Sequence, residues 1–192
     1  MYSPICRPDT LTTMTKNKPP EPWYSFLKEI DRSLNEETRI HCLGGFVVTV
    51  VYGAERSTVD IDALSLVERD SAIWEFAGRG SNLHKRHHVY LDRVGVVPLP
   101  ENYEDRLTEA FIGVFRNLRL FVLDPYDVAL AKIERNTARD RQDVLYLAQA
   151  VPFDLETLRQ RYHDELRIYL GNPDREDLTL KLWIDMIEES RA

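Results

Sequence analysis

The sequence Asp60-Ile61-Asp62 constrains the fold of this chain more than any other short stretch. In a strand, alternate side chains point to the same face, so both carboxylates lie side by side while Ile61 points into the core. Two parallel carboxylates repel each other, and the usual compensation is a hard divalent cation bound through oxygen. The stretch therefore predicts a strand that presents a metal site, in which phosphates of a substrate also hold the metal.

Two glycines, Gly44 and Gly45, follow a short apolar segment over 39–43 that predicts a buried strand. Glycines at such a position permit a tight turn and let backbone N–H groups approach a phosphate without a Cβ in the way. The segment 46–52 behind them is rich in β-branched residues, which favour a strand. We predict a helix there instead, because burial against a sheet overrides intrinsic propensity.

A third carboxylate, Asp92, lies in another predicted strand, over 88–94. Its residue pattern is that of a sheet strand, so it can lie beside the strand that carries Asp60 and Asp62. Three carboxylates suit a two-metal phosphoryl-transfer site, in which one group activates the attacking oxygen and the pair binds metal. The alternative is that Asp92 pairs with Arg93 or another neighbour at the surface, and the sequence leaves both interpretations open.

Apolar periodicity predicts the other strands and helices of the first two thirds. In chain order they are a helix over 22–35, a strand over 58–66, a helix over 68–78, and a hairpin of strands 111–115 and 118–122. Four residues of the helix over 68–78 are expected to be buried: Ile73, Trp74, Phe76 and Ala77.

The final third is predicted to be helical. Asp124 followed by Pro125 indicates a helix start, because Asp is a preferred N-cap and Pro suits the first helical position. This helix is expected to include Lys132. A second helix is predicted to begin near Thr137, and one or two more follow within 155–187.

Composition and charge narrow the protein class. A chain of 192 residues with 43% hydrophobic content can bury a core, and its net charge of -7 argues against a general nucleic-acid coat. Cys6 and Cys42 show no pairing pattern, which fits a reducing cytosol, and we expect Cys42 to be buried. No apolar run approaches the roughly 18 residues of a membrane span, so we expect a soluble, cytoplasmic protein that does not bind membrane.

A cationic run, His84-Lys85-Arg86-His87-His88, stands out in this acidic chain. Such runs more often form a solvated face than a binding site. Its histidines could also form a zinc site with Cys42 or Asp92. This interpretation is weaker, because adjacent histidines in a strand point in opposite directions.

Taken in chain order, these residues resemble the nucleotidyltransferase superfamily, the DNA polymerase beta-like group. The resemblance rests on Gly44-Gly45, the motif Arg56-Ser57-Thr58-Val59-Asp60-Ile61-Asp62, the later strand aspartate, Asp124-Pro125 to Lys132, and Arg139-Asp140-Arg141-Gln142-Asp143. It spans roughly residues 39–150. Within the superfamily the chain is most similar to the DUF6036 and AbiEii-toxin-like branch, which is related to the toxins of abortive-infection and toxin–antitoxin systems.

The resemblance implies an α+β nucleotidyltransferase fold, in which helices flank a mixed β-sheet and a C-terminal helical part follows. It implies a nucleotidyltransferase core over 23–123 and a helical region over 124–192 that closes the nucleotide cleft. The segment 1–22 is rich in Pro, Thr, Lys and Asn and has little periodic apolar content, which predicts a flexible N-terminal arm.

The resemblance also implies roles for individual residues. Asp60, Asp62 and Asp92 would be catalytic and would bind Mg2+ or Mn2+, with Asp92 as third ligand or general base. The nucleotide-binding residues would be Gly44, Gly45, Arg56, Thr58, Lys132, Arg139, Asp140 and Asp143. Arg56 has a second interpretation, in which it pairs with Asp62 or Glu55 and orients the site.

The implied activity is Mg2+-dependent transfer of a nucleoside monophosphate from a nucleoside triphosphate, such as ATP, to a hydroxyl acceptor. The acceptor stays open among an RNA or tRNA end, a protein and a small molecule. The implied partner is a cognate antitoxin, if the protein is the toxin of a toxin–antitoxin or phage-defence system. The apolar residues of 178–187 fit a homodimer interface as well as packing within one chain.

A second hypothesis is a catalytically inactive nucleotidyltransferase-fold protein that binds nucleotide or acts as a regulatory or antitoxin-type partner. The intact set of Asp60, Asp62 and Asp92 favours the enzyme, because an inactive protein has no reason to keep three mutually repelling carboxylates.

Overall fold

The computed structural model describes residues 18–64 and 71–192. The predicted N-terminal arm lies outside the described residues except for 18–22, and so do Cys6, the end of the predicted strand 58–66 and the start of the predicted helix 68–78. The described residues form two compact units. The sheet unit contains the described residues up to Gly95 together with Leu107–Leu123, and the helical unit contains Val96–Arg106 and Asp124–Ala192. The division into 1–22, 23–123 and 124–192 stays a prediction.

The sheet unit is built on a five-stranded mixed sheet, which confirms the predicted α+β class. Its strands are β1 (Thr38–Leu43), β2 (Asp60–Leu64), β3 (Tyr90–Val94), β4 (Thr108–Ala110) and β5 (Leu118–Val122). Their spatial order is β3-β2-β1-β5-β4. Strand β1 runs antiparallel to β2 and parallel to β5, β2 is parallel to β3, and β4 is antiparallel to β5.

Four helices accompany the sheet in the described part of this unit: α1 (Trp23–Ser33), α2 (Gly44–Phe46), α3 (Ser71–Ala77) and α4 (Asn82–His87). Helix α2 continues as a π-helical turn over Val47–Val51, which confirms the prediction of a helix over 46–52. Val47, Val48 and Val51 are buried. Tertiary packing of these side chains therefore overrides their preference for a strand.

The helical unit contains α5 (Pro125–Leu130), α6 (Ala138–Ala150), α7 (Leu155–Arg161) and α8 (Pro173–Arg191). The predicted start of α5 is confirmed, because the Asp124 side chain accepts a hydrogen bond from the backbone N–H of Asp127 at 2.9 Å. Helix α6 begins with a capping box between Thr137 and Asp140. A π-helical turn, Tyr162–Leu166, and a 3-10 turn, Arg167–Tyr169, follow α7. None of the described helices has the length and apolar content that crossing a membrane requires.

The predicted hairpin is present, but its first strand was placed wrongly. Strand β4 is Thr108–Ala110, and residues 111–115 form turns. The reason lies in the backbone, because Phe111 and Gly113 adopt positive φ angles of 56° and 78°, which are incompatible with a strand.

One further prediction for the sheet unit was wrong, and one helix was missed. Trp74 is half-buried and Phe76 is 39% exposed, so α3 buries a narrower stripe, Ile73 and Ala77, than expected. The cationic run over 84–88 lies in and just after α4, a helix that the sequence analysis missed. Its N-cap is Ser81, whose hydroxyl accepts from the backbone N–H of His84 at 3.0 Å.

Lys132 was predicted within α5 but lies in the turn that follows it. The helix ends at Leu130, and the next backbone N–H groups make tighter contacts, from Lys132 to Ala129 and from Ile133 to Leu130. This turn buries the Lys132 side chain, which is 4% exposed.

Candidate functional site

The register between β2 and β3 brings the three predicted acids together. Asp62 lies opposite Asp92, and Asp60 lies opposite Tyr90, in the parallel ladder. The carboxylates of Asp60, Asp62 and Asp92 each offer an oxygen, and these oxygens all lie within 4.8 Å of one another. Asp60 and Asp62 are half-buried and Asp92 is exposed, so the group can be reached from solvent.

This triad has the chemistry of a divalent-cation site. Three carboxylates supply hard oxygen donors, which Mg2+ and Mn2+ prefer, and their mutual repulsion is relieved when a cation binds among them. Within residues 18–64 and 71–192, it is the group of His, Cys, Asp and Glu residues whose geometry qualifies for holding a metal ion.

The glycine pair lies against the triad. A Cβ added to Gly44 would lie 1.7 Å from Oδ2 of Asp62, and Gly44 has a φ of +69°, so no side chain fits there. The backbone N–H of Gly45 donates to the same Oδ2 at 3.4 Å. The structure thus gives these glycines a role that the sequence analysis missed, since they admit the Asp62 carboxylate beside the start of α2. Their predicted contact with phosphate stays a prediction.

Gly45 is also close to two other predicted nucleotide-binding residues. A Cβ at this position would lie 2.8 Å from Oγ1 of Thr58 and 3.5 Å from Nη1 of Arg56. The Thr58 hydroxyl donates to Oδ1 of Asp60 at 2.9 Å. The structure therefore places Gly44, Gly45, Arg56 and Thr58 at the triad, although it leaves the role of Arg56 open.

The second oxygen of Asp60 is close to Tyr90, a residue that the sequence analysis missed. The Tyr90 hydroxyl lies 3.4 Å from Oδ2 of Asp60 and accepts a hydrogen bond from Nη2 of Arg79 at 2.9 Å. The Arg79 guanidinium also lies over the Tyr90 ring, 5.1 Å from its centroid. Tyr90 precedes Asp92 by two residues, so strand alternation was the signal that could have placed it on the same face.

Burial raises the pKa of Tyr90, and the nearby charges of Asp60 and Asp92 raise it further, whereas the hydrogen bond from Arg79 opposes them. An ordinary tyrosine already titrates near pH 10. The Tyr90 hydroxyl is therefore protonated at neutral pH and has a proton to donate toward Asp60.

The histidines of the cationic run make contacts of other kinds. Nδ1 of His84 accepts from the backbone N–H of Gly80 at 2.9 Å, and Nε2 of His87 lies 2.7 Å from the Glu29 carboxylate. His88 ends α4 with a left-handed backbone, at a φ of 59°. Cys42 is fully buried, as expected, and burial raises the pKa of its thiol far above the usual range. These contacts do not favour the zinc interpretation.

Four predicted site residues lie in the helical unit. Lys132 Nζ lies 3.1 Å from Oδ2 of Asp143 and 3.5 Å from Oδ1 of Asp140, and all three side chains are buried. Burial alone would raise the pKa of Asp140, but hydrogen bonds from Arg135 and Thr137 and the charge of Lys132 hold that pKa well below its usual range. Arg139 is exposed on α6. The predicted roles of these four residues toward a nucleotide stay predictions.

Comparison with known proteins identifies one family. The family model described as "Nucleotidyltransferase of unknown function (DUF6036)" matches residues 25–191. No curated protein and no solved structure matches the chain.

Proposed function

We propose a function that proceeds from the family of this chain, which belongs to the DUF6036 nucleotidyltransferases. In this proposal the protein moves a nucleoside monophosphate from a nucleoside triphosphate to a hydroxyl acceptor, in a reaction that depends on Mg2+. The observation that carries the proposal is the convergence of Asp60, Asp62 and Asp92 within 4.8 Å, beside a glycine pair. Phosphoryl-transfer sites use such carboxylates to hold the divalent cation, which neutralises the negative charge on the phosphate oxygens.

In this proposal Asp60, Asp62 and Asp92 hold the cation, Mg2+ or Mn2+. When bound, the cation neutralises charge on the phosphates and on the attacking and leaving oxygens. The Gly44 position supports this assignment, because the absence of a Cβ lets the Asp62 carboxylate lie beside the two other acids.

The chain's own groups then position the reactants and move the proton. Asp92, the exposed carboxylate, accepts the proton of the acceptor hydroxyl as general base. The acceptor oxygen forms a bond to the α-phosphorus, the bond from that phosphorus to the bridging oxygen breaks, and pyrophosphate leaves. Arg56 and the backbone N–H groups near Gly45 donate to the triphosphate and keep the attack in line.

The helical unit contributes to the proposal through Lys132, Arg139, Asp140 and Asp143. Arg139 has an exposed side chain and keeps the role toward the nucleotide that the family resemblance implies. Lys132, Asp140 and Asp143 hold one another in a buried cluster. Their part is to fix the turn after α5 against the start of α6.

Removal of one triad carboxylate at a time tests the metal site. Asp60→Asn and Asp62→Asn keep the side-chain size but remove the charge, and we expect each to abolish Mg2+-dependent binding of ATP, CTP, GTP and UTP in calorimetry. Asp185→Asn removes one exposed carboxylate from α8 and serves as the charge-matched control. Equal nucleotide affinity in the control and in both triad variants would sink the metal-site assignment.

The acceptor and the biological role form the outer part of the proposal. The proposed antitoxin partner rests on the likeness to toxins of toxin–antitoxin and phage-defence systems, and the proposed homodimer rests on the apolar residues of 178–187. The proposed acceptor is an RNA or tRNA end, a protein or a small molecule. Incubation with each labelled nucleoside triphosphate, Mg2+ and total RNA or protein tests them. Transfer of label supports the enzyme, whereas binding without transfer to any acceptor supports the inactive binding or regulatory protein.

A further inference from the structure

A chain of hydrogen bonds with a single direction ends at Asp60. Arg79 is a donor only, so its contact of 2.9 Å with the Tyr90 hydroxyl uses an acceptor position of that oxygen. The single hydroxyl proton of Tyr90 is then directed to Asp60, whose Oδ2 lies 3.4 Å from the Tyr90 oxygen. This carboxylate oxygen can only accept. Because Arg79 cannot accept, the order of donation from Arg79 through Tyr90 to Asp60 is fixed.

The local fold keeps Arg79 beside Tyr90. Gly78, the residue before Arg79, forms a parallel bridge with Leu91, the residue after Tyr90. A Cβ at Gly78 would lie 2.3 Å from the carbonyl oxygen of Trp74, so the backbone at the end of α3 requires glycine at the position that bridges to β3. The guanidinium of Arg79 further lies over the Tyr90 ring.

We propose that Tyr90 and Arg79 are positioning residues that hold the Asp60 carboxylate in the orientation needed to bind the divalent cation. The inference rests on the metal site of the proposed function and adds two residues outside the predicted site. Thr58 holds Oδ1 of Asp60 at 2.9 Å, so Tyr90 completes a pair of hydroxyl donors, one for each carboxylate oxygen.

Hydrogen bonds to both oxygens fix the orientation of the Asp60 carboxylate. A carboxylate that accepts one hydrogen bond at each oxygen keeps lone pairs free for a cation, but its plane no longer rotates. Groups that orient metal ligands in this way typically change metal affinity or activity by about 10- to 100-fold when they are removed. The contact of 3.4 Å is long for an O–H donor, so we place the expected effect of Tyr90 at the lower end, about tenfold.

The first test removes the hydroxyl and keeps the ring. Tyr90→Phe retains the surface on which Arg79 and the His84 ring pack, and we expect it to bind Mn2+ alone about tenfold more weakly than the wild type in calorimetry. Tyr103→Phe is the matched control, because the Tyr103 hydroxyl also contacts a carboxylate, that of Glu104 at 3.2 Å, within the helical unit. We expect unchanged Mn2+ affinity in the control.

The second test asks whether Arg79 acts through Tyr90. We expect Arg79→Ala to weaken Mn2+ binding severalfold in the wild type but to have no further effect in the Tyr90→Phe background. Arg159→Ala removes a half-buried, ion-paired cation from α7 and controls for net charge. An equal effect of Arg79→Ala in both backgrounds, or unchanged affinity in Tyr90→Phe, would overturn the inference.

The failure of this inference is distinguishable from failure of the metal site itself. If wild-type protein and Asp60→Asn bind Mn2+ equally, the proposed function fails. If Asp60→Asn loses the cation but Tyr90→Phe retains full affinity, the metal site stands and only the positioning role is refuted. Thermal unfolding of each variant without metal checks that the fold is retained, and we expect Tyr90→Phe to unfold at the wild-type temperature because the ring and its packing are kept.

Discussion

The triad on the sheet and the cluster around Lys132 both contain neighbouring carboxylates, but they differ in exposure to solvent and in the groups that contact those carboxylates. In the helical unit, Asp140 and Asp143 are almost fully buried, and the Lys132 ammonium lies within 3.5 Å of both. In the sheet unit, three acids converge where solvent can reach them, and hydroxyl and N–H donors contact the oxygens of Asp60 and Asp62.

The difference follows from the cost of burying charge. A carboxylate removed from water needs a partner of opposite charge within the protein, and a pair of this kind is fixed once the chain folds. A carboxylate that stays near water can exchange partners, so a cation from solution can enter and leave. The first arrangement stabilises the fold, and the second suits a ligand. The following experiments test this distinction in order of expected effect.

The largest effect is expected from Lys132→Met. The substitution preserves bulk but leaves the buried Asp143 without the Lys132 ammonium, and we expect a loss of about 3–5 kcal/mol in the free energy of unfolding measured with urea. Lys181→Met changes an exposed lysine of α8 and should alter stability by less than about 0.5 kcal/mol. If Lys132→Met lowered the free energy of unfolding by less than about 1 kcal/mol, the interpretation that Lys132 neutralises the buried carboxylates would be wrong.

An intermediate effect is expected from Gly44→Ala. Gly44 and Gly113 both have a positive φ, so alanine should cost each about 1–2 kcal/mol. At Gly44 the new Cβ also meets the Asp62 carboxylate, whereas at Gly113 nothing lies within 4 Å. We therefore expect Gly44→Ala to cost about 1–3 kcal/mol more than Gly113→Ala in chemical unfolding.

A second substitution identifies the source of that excess. Asp62→Ala removes the oxygen that the Gly44 Cβ would meet, so it should recover most of the additional cost of Gly44→Ala. If the excess persists in the double variant, the glycine is needed for another reason than the close approach of Asp62.

The smallest effect on stability is expected from Asp92→Asn. The side chain is exposed and the substitution relieves repulsion within the triad, so the free energy of unfolding should change by less than about 0.5 kcal/mol. The same variant should lose the rise in Tm that Mg2+ produces in the wild type, because a ligand stabilises only the state that binds it. A large loss of stability without metal would place Asp92 with the structural cluster instead.

Local patterns predicted the parts of this fold in which neighbouring residues determine the structure. The strand with Asp60 and Asp62 follows from alternation, and the start of α5 follows from the Asp124 cap and Pro125. The helix after Gly45 was predicted against propensity because burial of its valines against a sheet was expected to override their preference for a strand, and Val47, Val48 and Val51 are buried.

The missed features depend on contacts between residues that are distant in the chain or on single backbone angles. Helix α4 has one buried apolar residue, Leu83, so periodicity cannot detect it. The pattern of apolar residues around Phe111 does not predict its positive φ angle. Arg79 lies beside Tyr90 next to the bridge between Gly78 and Leu91, a pairing that no local pattern contains.

Because Cys42 is buried, its reactivity can report on the opening of the strand that contains it. Cys42 lies on β1, one residue before Leu43, which is paired with Asp62. Because burial suppresses the thiolate, an alkylating reagent can react only after β1 opens. In a Cys6→Ser background, the labelling rate of Cys42 thus measures the opening of the strand beside the acids, without a dye or an engineered probe.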